Sequence, residues 1–264
     1  MRSTERDTAG QVAEAGVSAP PDSVLGRVAL LLSAFDDRSP RLGVSELARR
    51  TGLAKSTVHR LTGEMEAYRL LAREGTEYRL GGWLFELGEL VPTTRTLAEA
   101  AQPIMEDLRE ATQQRVHLAV REGTDVVYVS IMGGTAMGLM SRVGGRLPAH
   151  ATGVGKVMLA YSSRAVIQEQ VAAGLPQLTP RTIGTAQELE LELRRIRSIG
   201  MSLEAGESHE GIACVAAPVF GANRRIIAGL SLTGFAGKID PVTLGPAVRT
   251  AAFMLSRTLR EQGI

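Results

Sequence analysis

Three stretches of this 264-residue chain carry residue types that could do chemistry. The run His150-Ala-Thr-Gly-Val-Gly155-Lys156-Val157 ends like a phosphate-cradling loop. Such a loop needs Gly, four spacers, Gly-Lys and then Ser or Thr, because backbone N–H groups wrap the phosphates and the hydroxyl holds magnesium. His150 stands where the first glycine belongs and Val157 follows the lysine, so the loop fails at both ends. "GESHEG", residues 206–211, suggests the nucleophile elbow G-x-S-x-G of serine hydrolases, but Gly211 arrives one residue late. "GGTAMG", residues 133–138, misses the dinucleotide spacing, with Thr135 where the middle glycine belongs. A single Cys214 and four scattered histidines leave no internal disulfide and no zinc ligand set. No catalytic residue, metal or cofactor is therefore expected.

The composition is that of a globular protein, with 44% hydrophobic and 22% charged residues and a net charge of +2. No apolar run approaches the roughly 18 residues that span a membrane. Residues 1–22 carry charge where a signal peptide needs an apolar stretch, and they read as a disordered tail on a cytoplasmic protein.

Order is expected from Ser23. Val24, Val28, Leu31, Leu32 and Phe35 share one face of a helix over 24–36. A short helix capped by Ser45 follows, then a tight turn at Gly52. A third helix over 55–68 has Val58, Leu61, Met65 and Tyr68 inward, and two strands meet around Glu74-Gly75-Thr76. Helix, short helix, turn, helix, hairpin is the order of a winged helix-turn-helix, whose second paired helix enters the major groove. Charge agrees. Residues 38–60 hold six basic residues and one acid, whereas residues 61–90 hold three arginines and six glutamates. The positive field thus lies where phosphates would be met. Candidate contacts are Arg41, Lys55, Ser56, Thr57, His59 and Arg60 on the helix-turn-helix, with Arg73 and Arg79 flanking the wing. The alternative for each is an ordinary solvated side chain.

"SELARRTGLAKSTVHRLTGEMEAYRLLAREGTEYRLGGWLFELG" closely resembles the DNA-binding domain of the IclR family of bacterial transcriptional regulators. Its "KSTVHRL" core is the specific part, and Ala54 stands where the family often has proline. "LPAHATGVGKVMLAY" and "GIACVAAPVFGANRRIIAGLSLTG" resemble the family's sensing domain. The resemblance implies an α+β protein: a winged helix-turn-helix over 23–82, a helical linker and dimerisation segment over 83–112, and a GAF- or PAS-like effector-binding domain over 113–264. It also implies that "GVGK" leads into a helix of that domain. There Gly153 and Gly155 allow close backbone approach, and Lys156 is a surface or interface charge.

Within the linker, Thr96 and Glu99 have capping-box spacing, and Leu97, Ala101, Ile104 and Leu108 share a face. Pro103 should kink the helix. Such a helix can be a lever between ligand and DNA; an inert connector has the same pattern. The last domain reads as strands at "VHLAV", "DVVYVSIM", "IACVAAPVF" and "IIAGLSLTG", with helices over 150–161, 164–173, 185–199 and 241–260.

Ser231 and Thr233, two apart, share one strand face, as do Cys214 and Ala216. Buried hydroxyls beside small side chains supply both room and donors for a small molecule. Alternatively, the hydroxyls bond neighbouring backbone, Cys214 is a small hydrophobe, and His150 is a helix-start contact. Carried over from the family, the effector site is Glu204, Ile212, Cys214, Ser231 and Thr233, with Gly133, Gly134, His150 and Ala151 as wall residues. Glu204 replaces the family's frequent Asp and is one methylene longer. The reading is a regulator that senses a small organic acid and binds a pseudo-palindromic duplex operator as a dimer or dimer of dimers. The competing reading is a ligand-insensitive architectural DNA-binding protein.

Overall fold

The computed structural model describes residues 23–36, 38–133 and 141–264; the N-terminal tail and Gly134 lie outside them. The chain divides into two compact units between Arg95 and Thr96.

In the first unit Ser23 caps α1 (Val24–Leu32), its Oγ accepting from the Gly26 N–H at 2.9 Å. The helix stops four residues short of the expected end because Arg50 reaches back and claims the following segment. Its guanidinium donates to the Ala34 carbonyl, the Asp36 carboxylate and Ser39 Oγ, at 2.7–2.9 Å. Phe35 is nonetheless buried. A short strand β1 (Leu42–Gly43) leads into α2 (Val44–Thr51), which Gly43, not Ser45, precedes as cap. Gly52 then closes α2 at φ +70°, a left-handed conformation that glycine adopts without a Cβ clash. Helix α3 (Lys55–Ala67) ends one residue before Tyr68, which is 72% exposed rather than inward. The chain leaves the helix there, and Leu71 fills the core instead. Strands β2 (Leu71–Glu74) and β3 (Glu77–Leu80) form the wing, and β1 adds to β3 as a third strand that the sequence did not announce. Leu31, Leu47, Val58, Leu61, Met65 and Tyr78 form the core that fixes α3 against the wing. Helix α4 (Gly82–Gly88) completes the unit.

Helix α5 (Pro92–Thr112) carries the chain into the second unit. It starts at Pro92, so Thr96 lies inside it rather than capping it, and it continues across Pro103 as one element. Leu97, Ala101, Met105 and Leu108 are its buried stripe.

The second unit is built on a six-stranded antiparallel sheet, in the order β6-β5-β4-β9-β8-β7. Its strands are β4 (Arg115–Glu122), β5 (Asp125–Met132), β6 (Arg146–Pro148), β7 (Ser202–Ala205), β8 (Ile212–Phe220) and β9 (Ile226–Phe235). One face is mainly apolar. Val116, Leu118, Val215, Leu230 and Leu232 pack there with α5 and with Val248, Ala252, Leu255 and Leu259 of α9 (Pro241–Glu261). Two-residue alternation puts different side chains on the opposite face. That face meets α6 (Gly153–Ala160) and α8 (Ala186–Ile199), with α7 (Arg164–Ala172) between them in sequence. Thr185 and Glu188 close the expected capping box of α8, and Gly200 ends it.

The helix expected over 150–161 is split. Ala149–Ala151 make one 3-10 turn, Thr152 caps through its Oγ, and α6 follows. The two glycines of "GVGK" serve as close-approach points. A Cβ on Gly153 would lie 2.4 Å from Cys214 Sγ, and one on Gly155 would lie 2.1 Å from the Ala149 carbonyl oxygen. Lys156 departs from expectation: it is 1% exposed. Its ammonium is drawn inside by the Glu207 carboxylate, the Leu203 carbonyl at 3.2 Å and Glu192 at 3.6 Å.

Candidate functional site

In the first unit the candidate contacts stand on α3 and the wing, with Arg41 just ahead of β1. Lys55, Ser56, His59 and Arg60 are exposed along α3, and Thr57 is partly exposed. No side chain caps α3 and its first turn holds no acid, so its N–H groups and positive dipole end remain available to a phosphate. The arginines are not idle. Arg60 pairs with Glu64 at 2.6 Å; Arg41 and Arg79 share Glu74 at 2.8 and 2.6 Å. Arg73 bonds the Tyr78 hydroxyl and lies 3.4 Å from Glu66. Exposed pairs of this kind contribute about 0–1 kcal/mol each. The carboxylates hold the guanidinium groups in place until a phosphate displaces them.

In the second unit the register aligns two polar rows across the sheet. Glu204, Cys214 and Thr233 are direct partners on β7, β8 and β9. Next to them, Ser202, Ala216, Ser231 and His117 run from β7 to β4. Glu204, Ile212, Cys214, Ser231 and Thr233 all line one cavity with His117, Tyr128, Ser141, Thr152 and the loop residues Ser208 and His209. Five of the nine residues carried over from the family are thus brought together. Ala151 is buried one residue before the wall residue Thr152. Gly133, at φ +116°, lies against the Arg115 backbone and not in the cavity. His150 is buried elsewhere, its Nε2 3.1 Å from the Pro176 carbonyl oxygen.

The cavity is rich in hydrogen-bonding groups. Burial, with the nearby Arg115 charge, pushes the His117 pKa down to about 3, so the imidazole is uncharged at neutral pH. Its ring lies 3.3 Å from Thr233 Oγ1, 3.5 Å from Ser141 Oγ and edge-on to Tyr128 at 5.3 Å. Burial raises the Cys214 thiol well above its ordinary range, which removes the thiolate needed for reactivity. Burial also raises the Glu204 carboxyl, against the pull of the Glu207 and Ser208 N–H groups that it accepts at 2.6 and 3.0 Å. Those two bonds fold loop 206–211 over the cavity mouth. From outside, Thr179 Oγ1 donates to the Gly206 carbonyl and Thr182 Oγ1 to the Glu207 carbonyl, both at 2.6 Å, while Lys156 grips the Glu207 side chain. The free space inside it is only about 30 Å³, room for roughly two waters.

Models of two domains match the chain: the IclR helix-turn-helix domain over residues 24–75, and the bacterial transcriptional regulator IclR C-terminal domain over residues 91–257. The chain belongs to the IclR family of bacterial transcriptional regulators. It is a DNA-binding regulator that responds to a small molecule, and the family is one of regulators rather than enzymes. Among its relatives, the HTH-type transcriptional regulator XynR of Escherichia coli is 31% identical over 240 residues, covering 88% of this chain and 95% of that protein. The regulator KdgR of Dickeya chrysanthemi is 33% identical over 229 residues, covering 84% and 75%. An IclR homolog from Microbacterium hydrocarbonoxydans, solved with 4-hydroxybenzoate, superimposes with a TM-score of 0.80 at 28% identity, covering 90% of this chain and all of that one. The Thermotoga maritima IclR structure gives a TM-score of 0.71 at 26% identity, covering 89% and 98%.

For this IclR-family chain, nine of the fourteen described residues that line the cavity were not expected from the sequence. His117, Tyr128, Ser141, Thr152 and Ser208 contribute, and no role was expected of His117 or His209. The signal for His117 was present: a polar residue inside the apolar run "VHLAV" is the same anomaly that singled out Ser231 on the neighbouring strand.

Proposed function

We propose that the polar cavity of the second unit is the effector site, and that its occupant is a small organic acid. The observation that supports this is the alignment of Glu204, Cys214, Thr233, Ser231 and His117 on one face, around a chamber closed by a hydrogen-bonded loop. Such a chamber offers neutral donors from His117, Ser231, Thr233 and the N–H groups of Glu207 and Ser208. A ligand of several heavy atoms exceeds a space of about 30 Å³, since sites for such molecules measure ≈ 300–1,000 Å³. On this reading loop 206–211 swings out to admit the ligand, and an acid that takes over its N–H groups drives that movement. The 4-hydroxybenzoate of the Microbacterium relative has suitable chemistry: a carboxylate for the donors and a flat ring for Tyr128, Leu147 and Ile212.

The DNA-reading face is α3 with the wing: Arg41, Lys55, Ser56, Thr57, His59, Arg60, Arg73 and Arg79. Two such faces, from a homodimer or a dimer of dimers, bind a pseudo-palindromic operator in the cytoplasm. Residues 83–112, containing all of α5 and all but the first residue of α4, form the lever and dimerisation segment.

The test is calorimetric titration with 4-hydroxybenzoate and related acids. Ser231→Val/Thr233→Val should abolish binding of whichever acid binds the wild type, while DNA affinity stays within about twofold, the scale of a few tenths of a kcal/mol. An acid that binds the double variant as well as the wild type would place the effector site elsewhere.

A further inference from the structure

The outer side of α9 and one half of β8 border a second, open groove of about 560 Å³. It lies within the range of small-molecule sites. Strand β7 pairs only with residues 213–216 of β8, so residues 217–220 border the groove without that neighbour. An added peptide strand would find little to pair with. Pro218 has no N–H, and the Phe220 N–H is spent on Ser256 Oγ of α9 at 2.8 Å.

The walls are graded from end to end. At one end Arg249 leans on Gly200, where an added Cβ would lie 3.8 Å from its Nε, and Thr250 stands beside it. In the middle Phe253 is 64% exposed. At the other end Phe220, held level with Ser256, meets Tyr161 edge-on at 5.2 Å, and Arg260 closes the row. No carboxylate lines the groove, and among the described residues neither Arg249 nor Arg260 has an ion-pair partner. Eleven helical steps set their Cα atoms about 16 Å apart along the axis.

We propose that this groove is a second ligand site, for an elongated amphipathic organic acid. Its carboxylate sits at the Arg249–Thr250 end, and its apolar body runs over Phe253 onto the Phe220–Tyr161 pair. Charge selects the ligand: two guanidinium groups and no acid beside three aromatic rings favour an anionic amphipathic molecule over a neutral apolar one. The site is separate from the polar cavity but shares β8 with it. Ile212 and Cys214 lie at one end of the strand and Ala217, Pro218 and Phe220 at the other.

The experiment titrates the full-length protein with 8-anilinonaphthalene-1-sulfonate and with N-phenyl-1-naphthylamine, the same ring framework without the charge. Saturable one-to-one binding of the sulfonate is expected, displaced by dodecanoate. Arg249→Ala, at an exposed position, should weaken it about tenfold, the loss of one charge-assisted contact, and leave the neutral probe unaffected. Ser231→Val/Thr233→Val should change neither. Equal sulfonate affinity in wild type and Arg249→Ala, absence of saturable binding, or loss of binding in the Ser231/Thr233 variant instead would each overturn the proposal.

Discussion

Lys156 and Glu207 form a buried ion pair that ties helix α6 to the loop over the polar cavity, the lysine being 1% exposed. The ammonium also faces Glu192, which Arg195 holds at 2.8 Å, so one cation serves two carboxylates. Burial raises the Glu207 carboxyl, and the Lys156 charge opposes that rise. A latch of this kind is costly to break because removing one partner strands a charge in a low-dielectric site.

Replacing Lys156 with Met should therefore lower the stability of the second unit by about 3–5 kcal/mol, the usual range for a broken buried pair. Lys156→Met/Glu207→Gln should recover part of it. Thermal unfolding of both single variants and the double one reads the coupling directly. Additive losses would mean that the pair holds nothing.

His117 gives the second unit a component of acid sensitivity. Its folded pKa is about 3, below an unfolded value of about 6.5, so the unfolded state binds the extra proton first. Its contribution is intact above about pH 6.5 and falls as the pH drops from there toward 3, by about 2 kcal/mol on reaching pH 5. Glu204 and Glu207, whose pKa values are raised, act in the opposite sense. The His117 part is read as the difference between wild type and His117→Gln in urea unfolding at pH 7 and pH 5. The variant should lose less stability on acidification. Equal losses would show that the imidazole does not stay neutral inside.

On the DNA-reading face, Arg60→Ala should weaken operator binding by about 1–3 kcal/mol if the guanidinium reads a base edge. Folding stability should stay within about 0.5 kcal/mol, as for most surface changes. The pair with Glu64 makes a second arm possible. Glu64→Ala should strengthen binding slightly by freeing Arg60. Unchanged affinity in Arg60→Ala would remove it from the interface.

The fold was legible where the signal is local. Helical spacing gave α2, α3, α8 and α9 to within a few residues, and the Thr185–Glu188 box is present as read. What failed needed tertiary knowledge. The end of α1 depends on Arg50, fourteen residues beyond Asp36, and Lys156 is buried because Glu207 lies fifty-one residues on, folded back over α6. The Ser231–Thr233 face was visible as polar residues in an apolar strand. The rest of the chamber was hidden because register across β4, β9 and β8, not sequence neighbourhood, places His117 opposite Ser231 and Ser231 opposite Ala216.

The most direct test of the whole account is a fluorescence-anisotropy titration at about 150 mM salt, close to physiological ionic strength. Duplex from upstream of the protein's own gene is compared with a scrambled duplex, with and without the acid identified by calorimetry. The account predicts a preference for the upstream duplex of about a thousandfold, the lower end for specific binders. It also predicts that the acid shifts this affinity in the wild type and not in Ser231→Val/Thr233→Val. A specific complex whose affinity the acid leaves unchanged, or shifts equally in the double variant, would contradict the link between the polar cavity and DNA.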